Sequence, residues 1–105
     1  MAAVKYELTI AEGMQAELLQ FENHIVDLGA DQSTSDPLKF KNDKDIHVYP
    51  ETSEMRIVVR TRNGIVNTQW TLNVKVNGKD ISENPITGST DNNGRTDYDK
   101  KVKWQ

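Results

Sequence analysis

Apolar and polar residues alternate along much of this 105-residue chain, which is the pattern of β-strands that bury one face. The clearest case is the segment 4–10, Val-Lys-Tyr-Glu-Leu-Thr-Ile, in which the alternation is complete. Shorter segments at 38–41 and 46–49 repeat the pattern, and Pro50 ends the second because proline cannot donate to a strand ladder. The alternation predicts an antiparallel, β-dominated fold.

The dipeptide Asn-Gly occurs three times in the second half of the chain, at 63–64, 77–78 and 93–94. Asn and Gly tolerate the positive φ angles of tight hairpin turns better than other residues, so each dipeptide predicts a hairpin. A two-residue turn at 63–64 would place Ile57 opposite Trp70 on an apolar face. We therefore expect the two strands that flank this turn to be neighbours in one sheet.

The other two dipeptides predict different turns. A two-residue turn at 77–78 pairs Val74 with Ile81, while 92–94 suits a three-residue loop with Gly94 in the left-handed conformation. In the latter hairpin Asp91 would face Arg95, and pairing would continue into the final strand.

The segment 12–28 has two interpretations. Its apolar residues recur every three or four positions, as in an amphipathic helix, and Gly29 follows as a C-terminal glycine would. These residues are Met14, Leu18, Phe21, Ile25 and Leu28. We therefore predict a β-dominated α+β fold, an antiparallel meander of about six or seven strands with one helix near 12–28. The alternative is an all-β immunoglobulin-like sandwich, in which 12–28 is a strand hairpin with a bulge at Leu18-Leu19.

Length and composition limit the classes of function. The chain is long enough for a single domain, 1–105, and the absence of cysteine excludes disulfides and thiolate chemistry. Sixteen acidic residues against 13 basic ones give a net charge of −3, which does not indicate a nucleic-acid partner. No segment has the length and apolarity of a membrane span. The N-terminal residues lack the apolar core of a secretory signal, which fits a cytoplasmic protein or a mature secreted chain.

No constellation of catalytic residues is apparent in the sequence. The two histidines, His24 and His47, show no metal-ligand spacing, and their neighbours predict surface positions. No serine lies in a nucleophile elbow, and no glycine-rich phosphate loop is present. We therefore expect a protein without catalytic activity and without a cofactor.

The predicted hairpin at 63–64 would have a polar, arginine-rich outer face. Guanidinium groups beside amides can recognise carboxylates, sugar hydroxyls or a protein surface. The candidate ligand-binding residues on this face are Arg56, Arg60, Arg62, Asn67, Gln69 and Lys75. Val58 and Ile65 would lie among them and remain exposed unless a partner covers them.

The Asp/Asn-rich segment near the C-terminus offers weak candidates for a cation site. Asp91, Asp97 and Asp99 could supply oxygens to calcium, but the glycine and glutamate positions of an EF-hand loop are not matched. The competing interpretation is that these side chains stabilise a turn and protect a sheet edge. We therefore predict no metal site.

These observations favour a non-enzymatic binding or interaction module whose ligand is a protein or a carbohydrate. One alternative is a protein inhibitor that acts through its hairpin tips at 62–65 and 77–78. Another is a structural subunit that self-assembles through exposed edges and the Val58/Ile65 pair, so a homo-oligomer remains open.

Overall fold

The computed structural model describes residues 1–105 and contains ten β-strands and one short helix. The strands are β1 (Ala2–Thr9), β2 (Gln15–Phe21), β3 (His24–Ile25), β4 (Lys39–Lys41), β5 (Ile46–Val48), β6 (Glu54–Arg62), β7 (Gln69–Val76), β8 (Lys79–Asp80), β9 (Ile86–Ser89) and β10 (Thr96–Lys103). The helix α1 (Leu28–Asp31) is a single turn, and the Asp27 side chain caps its N-terminus. All strand pairs are antiparallel, which confirms the predicted β-dominated fold.

The strands form two sheets. In sheet A, β1 and β7 are the central pair; β4 and β5 share the other side of β1, and β8 and β9 share the other side of β7. Asn42 fills the gap between β4 and β5: its Oδ1 accepts from the Tyr6 N–H at 2.8 Å and its Nδ2 donates to the Val4 carbonyl at 3.0 Å. This buried side chain therefore satisfies backbone groups of β1 that no strand reaches.

Sheet B has the strand order β10-β6-β2-β3 and packs its inner face against that of sheet A. Inward residues of both sheets form one core of 22 buried residues. Trp70 lies at its centre, with its ring 5.5 Å from that of Tyr98 in an edge-on contact, and its indole N–H donates to the Thr96 hydroxyl at 3.1 Å. Trp70 is thus a core residue, as expected from its place on an apolar face, although the hairpin register used for that expectation does not form.

The predicted helix over 12–28 is wrong, and the strand alternative is correct for this segment. Residues 15–21 form β2, and the two-residue turn at 22–23 returns the chain into β3. The register with β6 shifts between Ala16 and Leu18, so one extra residue forms a bulge close to the predicted position. Because a bulge moves later residues to the opposite face, apolar residues on both faces of the strand imitate a helical spacing.

The predicted hairpin at 63–64 is also wrong. Asn63 has a φ of +58°, but Gly64 lacks the positive φ that a type I′ turn requires at both central positions. β6 belongs to sheet B and β7 to sheet A, so the segment 63–68 crosses from one sheet to the other. Ile57 pairs with Phe21 and Lys100, not with Trp70.

The hairpin predicted at 77–78 is confirmed. Lys75 pairs with Asp80, and the Ile81 N–H donates to the Val74 carbonyl at 3.3 Å. Asn77 and Gly78 have φ angles of +52° and +82°. This turn joins strands within sheet A.

The third predicted turn forms, but the strands on either side of it do not pair with each other. The Asp91 N–H donates to the Arg95 carbonyl at 2.7 Å, and Gly94 has a φ of +71° as predicted. β9 lies in sheet A and β10 in sheet B, so this segment is a second crossing between the sheets.

The strand directions gather the connecting loops at two opposite ends of the sandwich. The apical end includes the loops 10–14, 63–68 and 90–95. The basal end includes the turns 22–23 and 77–78 and the loop 49–53. These two ends carry the surface features described next.

Candidate functional site

The structure divides the residues of the predicted arginine-rich face among three places. Arg56, Arg60 and Arg62 lie on the outer face of sheet B, because they belong to β6. Gln69 and Lys75 lie on β7, whose outward residues face solvent on sheet A at the opposite side of the molecule.

Asn67 lies in the apical loop 63–68 with a φ of +58°. The six residues therefore do not form one surface.

Two of the three arginines on sheet B, Arg56 and Arg60, are paired with acidic residues of β10. The Arg56 guanidinium donates two hydrogen bonds to the Asp99 carboxylate, at 2.9 and 2.8 Å, and Arg60 Nε donates to Asp97 at 3.3 Å. The bond from Arg56 is the main reason that the pKa of Asp99 lies below its ordinary value. Two of the weak cation-site candidates, Asp97 and Asp99, are thus partners of arginine.

Asp91, the third candidate, serves the turn. Its Oδ1 accepts from the backbone N–H groups of Asn93 at 2.8 Å and Arg95 at 3.0 Å. These backbone bonds, that of Arg95 first, lower the pKa of the Asp91 carboxyl. No group of three or more His, Cys, Asp or Glu side chains is arranged to hold a metal ion.

The expected exposed pair of Val58 and Ile65 is not formed. Val58 lies on the outer face of sheet B, opposite Gln20 and Asp99 on the neighbouring strands, and only 1% of it is accessible. Ile65 lies in a different element, at the apical end, and is 74% exposed.

The two crossing loops of the apical end are joined where their glycines meet. The Gly64 N–H donates to the Gly94 carbonyl at 2.9 Å. A Cβ atom on Gly94 would lie 2.0 Å from the Gly64 carbonyl oxygen, far closer than a Cβ approaches a non-bonded heavy atom. The absence of a side chain at Gly94 therefore permits this contact, and its positive φ also favours glycine.

Thr90 makes the second connection between these loops. Its hydroxyl accepts from the Thr68 N–H at 2.9 Å and donates to the Ile65 carbonyl. Its backbone adds bonds from its N–H to the Thr68 carbonyl, at 2.9 Å, and from the Asn67 N–H to its own carbonyl, at 3.3 Å. Thr90 is buried, so one threonine holds the loop 63–68 from beneath at three positions.

The loop 63–68 presents two adjacent apolar side chains to solvent. Ile65 is 74% exposed and Val66 is 44% exposed. Beside them, the Gln15 Oε1 atom accepts from Arg62 Nε at 2.9 Å and from Asn63 Nδ2 at 3.2 Å. We call Ile65 and Val66 the apical tip; it is an apolar pair with a polar border on a hydrogen-bonded loop.

A polar cleft of about 450 Å³ lies at the basal end. We call it the basal cleft, and only two of its ten lining residues are hydrophobic. The lining residues are Glu22, Asn23, His24, His47, Val48, Tyr49, Glu51, Thr52, Glu54 and Lys101. The cleft brings together the two histidines of the chain, which the sequence analysis placed on the surface without any link between them.

The exposure of Ile65 was expected from the sequence, but the other features that define the two surfaces were not. Thr90 and Tyr49 carry no motif, and nothing local to His24 indicates that His47 is near. A usable signal was present for the apical tip, because Ile65 and Val66 follow a glycine directly in a segment expected to turn. No known protein family, curated protein or solved structure matches this chain. The only helix, α1, is far too short to cross a membrane.

Proposed function

We propose that this protein is a non-enzymatic interaction module that binds a protein partner through the apical tip. The observation that carries the proposal is the exposure of Ile65 and Val66 on a loop whose backbone is hydrogen-bonded to the neighbouring loop. Ile65 buries little of its side chain in the fold, whereas adjacent exposed aliphatic side chains can fill an apolar pocket on a partner.

Hydrogen bonds from the neighbouring loop support this proposal because they reduce the entropy that binding would cost. A mobile loop loses conformational freedom when it docks, and each ordered side chain costs further free energy. Here the bonds of Thr90 and the contact of Gly64 with Gly94 already order the loop backbone. Most of that loss is therefore incurred during folding.

The polar border of the apical tip has the composition of an interface rim. Arg62 is exposed at its edge and is positioned by Gln15, and its remaining guanidinium donors face solvent. Protein interfaces commonly have an apolar centre surrounded by polar groups, and arginine is enriched in them. Of the residues that the sequence analysis proposed for ligand binding, Arg62 and Asn67 are those that remain next to this surface.

Photo-crosslinking followed by affinity measurement tests the proposal. A photo-crosslinking amino acid placed at Val66 should capture a partner in the source cells, whereas the same group at Lys79 in the basal half should not. The dissociation constant of the captured protein is then measured with the Ile65→Ser and Val66→Ser variants. Each substitution should weaken binding at least about tenfold, because apolar anchors at interface centres contribute about 1.4 kcal/mol or more.

Ile25→Ser is the matched control, since Ile25 is a comparably exposed isoleucine on β3 of sheet B. It should bind as the unaltered protein does. The proposal fails if the Ile65→Ser and Val66→Ser variants retain full affinity, or if Ile25→Ser weakens binding equally.

Geometry bears on the first of the two alternative functions, and light scattering tests the second. The predicted inhibitor tips at 62–65 and 77–78 lie at opposite ends of β7, whose eight residues span about 26 Å, so a single enzyme groove would not contact both. Self-assembly through the tip would appear in light scattering as a mass that rises with concentration and returns to 11.9 kDa in Ile65→Ser. That result would show that the apical tip binds a second copy of this chain and not a different protein.

A further inference from the structure

We propose that the basal cleft is a second binding site, which takes a short oligosaccharide. It lies at the other end of the sandwich from the apical tip, so it does not depend on the function proposed above. The cleft volume of about 450 Å³ falls within the range of small-ligand sites, about 300–1,000 Å³.

The lining of the cleft matches the hydrogen-bonding character of sugar hydroxyls. A hydroxyl both donates and accepts, so a site for several hydroxyls needs acceptors and donors close together. Glu22, Glu51 and Glu54 supply carboxylate acceptors, and the Lys101 ammonium supplies donors. The ion pairs of the chain, Arg56–Asp99 and Arg60–Asp97, do not involve these four residues, so their polar atoms remain available.

The two imidazoles strengthen this match. His24 reaches the cleft from β3 of sheet B, and His47 reaches it from β5 of sheet A. A neutral imidazole carries one donor nitrogen and one acceptor nitrogen. It can therefore either donate to the oxygen of a sugar hydroxyl or accept from its O–H. Both side chains are exposed, and neither is required by the core.

Tyr49 supplies the apolar contact that polar groups alone would lack. It is 74% exposed, although most tyrosines bury much of their ring. Pro50 follows it and restricts the Tyr49 backbone to extended conformations, which limits the positions of the ring. An aromatic face with a polar tip can pack against the C–H groups of a sugar ring while neighbouring residues bond its hydroxyls.

The backbone of the cleft wall is strained at Glu22. Glu22 has a φ of +52° at the first position of the 22–23 turn, where glycine is strongly preferred. The Gln20 amide donates to the Glu22 carbonyl at 2.7 Å and stabilises this arrangement. A residue that keeps an unfavourable conformation at the edge of a cleft is typical of a functional position, since glycine would relieve the strain but remove the carboxylate.

Titration of the full-length ¹⁵N-labelled protein followed by NMR tests this proposal. The probes are diacetylchitobiose, cellobiose, maltose and lactose, each added to about 20 mM, which detects dissociation constants in the millimolar range. At least one probe should give saturable shifts that centre on the amides of His24, His47 and Tyr49. Tyr49→Ala should weaken this binding at least tenfold, and Ile65→Ala should leave it unchanged.

The competing occupant is a basic peptide, because three carboxylates in the cleft outnumber one ammonium. Acetyl-(Lys)₃-amide is therefore titrated in parallel. The proposal is overturned if no sugar gives saturable shifts, if the shifts lie away from the basal cleft, or if only the peptide binds there. Because the Tyr49 and Ile65 variants report on opposite ends of the molecule, failure here and failure of the apical proposal are distinguishable.

Discussion

Replacing Gly94 by alanine tests whether the contact between the two apical loops is as close as the structure indicates. Gly94 has a φ of +71°, and its added Cβ would lie 2.0 Å from the Gly64 carbonyl oxygen and 2.9 Å from the carbonyl carbon. Both atoms belong to the backbone, so no side-chain rotation relieves the clash. The loops must separate, and the Gly64 N–H···O bond to Gly94 must lengthen or break.

Two contributions set the expected loss of stability. A Cβ in the left-handed conformation costs about 1–2 kcal/mol. The forced displacement of a packed backbone adds about 1–3 kcal/mol, as overpacking does in protein interiors. The free energy of unfolding of Gly94→Ala should therefore fall by about 2–5 kcal/mol.

Gly78→Ala is the control that separates these contributions. Gly78 has a φ of +82°, but a Cβ there would meet nothing within 4 Å. It shares the conformational cost and lacks the clash, so it should lose only about 1–2 kcal/mol. The effect of alanine on the unfolded chain is common to both variants and cancels in the difference.

Urea unfolding followed by tryptophan fluorescence measures both variants, with amide exchange of the Gly64 N–H as a local readout. Gly94→Ala should be less stable than Gly78→Ala by about 1–3 kcal/mol, and its Gly64 amide should exchange faster. Equal stability of the two variants would refute the close approach of the loops and, with it, the fixed conformation of the apical tip.

Two further predictions concern buried hydroxyls and an ion pair. The hydroxyl of Thr61 is buried without a hydrogen-bond partner, so Thr61→Val should raise the free energy of unfolding by about 1 kcal/mol. Thr96→Val should lower the free energy of unfolding by about 1–3 kcal/mol, because the indole N–H of Trp70 loses its acceptor. Urea unfolding measures both, and changes of the same sign would contradict the assignment. Arg56→Gln should raise the carboxyl pKa of Asp99 towards its ordinary 3.8, as followed by carboxyl ¹³C NMR. Since the pKa of Asp99 is lowered in the folded state, the pair stabilises the fold fully above pH 3.8, and this stabilisation is lost as the pH falls through the folded-state pKa. Arg56→Gln should therefore lose less stability on acidification than the unaltered protein. An unchanged pKa of Asp99 in this variant would count against the pair.

Features that depend on neighbouring residues alone were predictable from the sequence. The alternation over 4–10 determines which side of β1 is buried, and Asn77-Gly78 determines both a turn and its register. In both cases the residues that form the pattern lie within one short segment of the chain, so the sequence of that segment is sufficient for the prediction. The core position of Trp70 was also expected, but from a hairpin register at 63–64 that does not form.

The sheet to which each strand belongs was not predictable in this way. An apolar face on β6 and another on β7 are compatible with one shared sheet and also with two facing sheets, because both arrangements bury the same residues. The bulge in β2 caused the second error, since Met14 and Phe21 face the core while Leu18 lies on the other side of the strand. The basal cleft was missed because it joins His24 and His47, which different sheets contribute.

The wrong hairpin and the apical tip have the same physical cause. Packed sheets lie about 10 Å apart, so a chain that leaves β6 and enters β7 must cross that distance and cannot use a two-residue turn. The crossing takes the segment 63–68, and its outermost residues extend beyond the core, which leaves Ile65 and Val66 in solvent. The loop 90–95 makes a second crossing beside it, and two crossings side by side can exchange hydrogen bonds, as they do at Gly64 and Thr90. The sheet change thus both exposes the apolar pair and supplies the neighbouring loop that holds it in place.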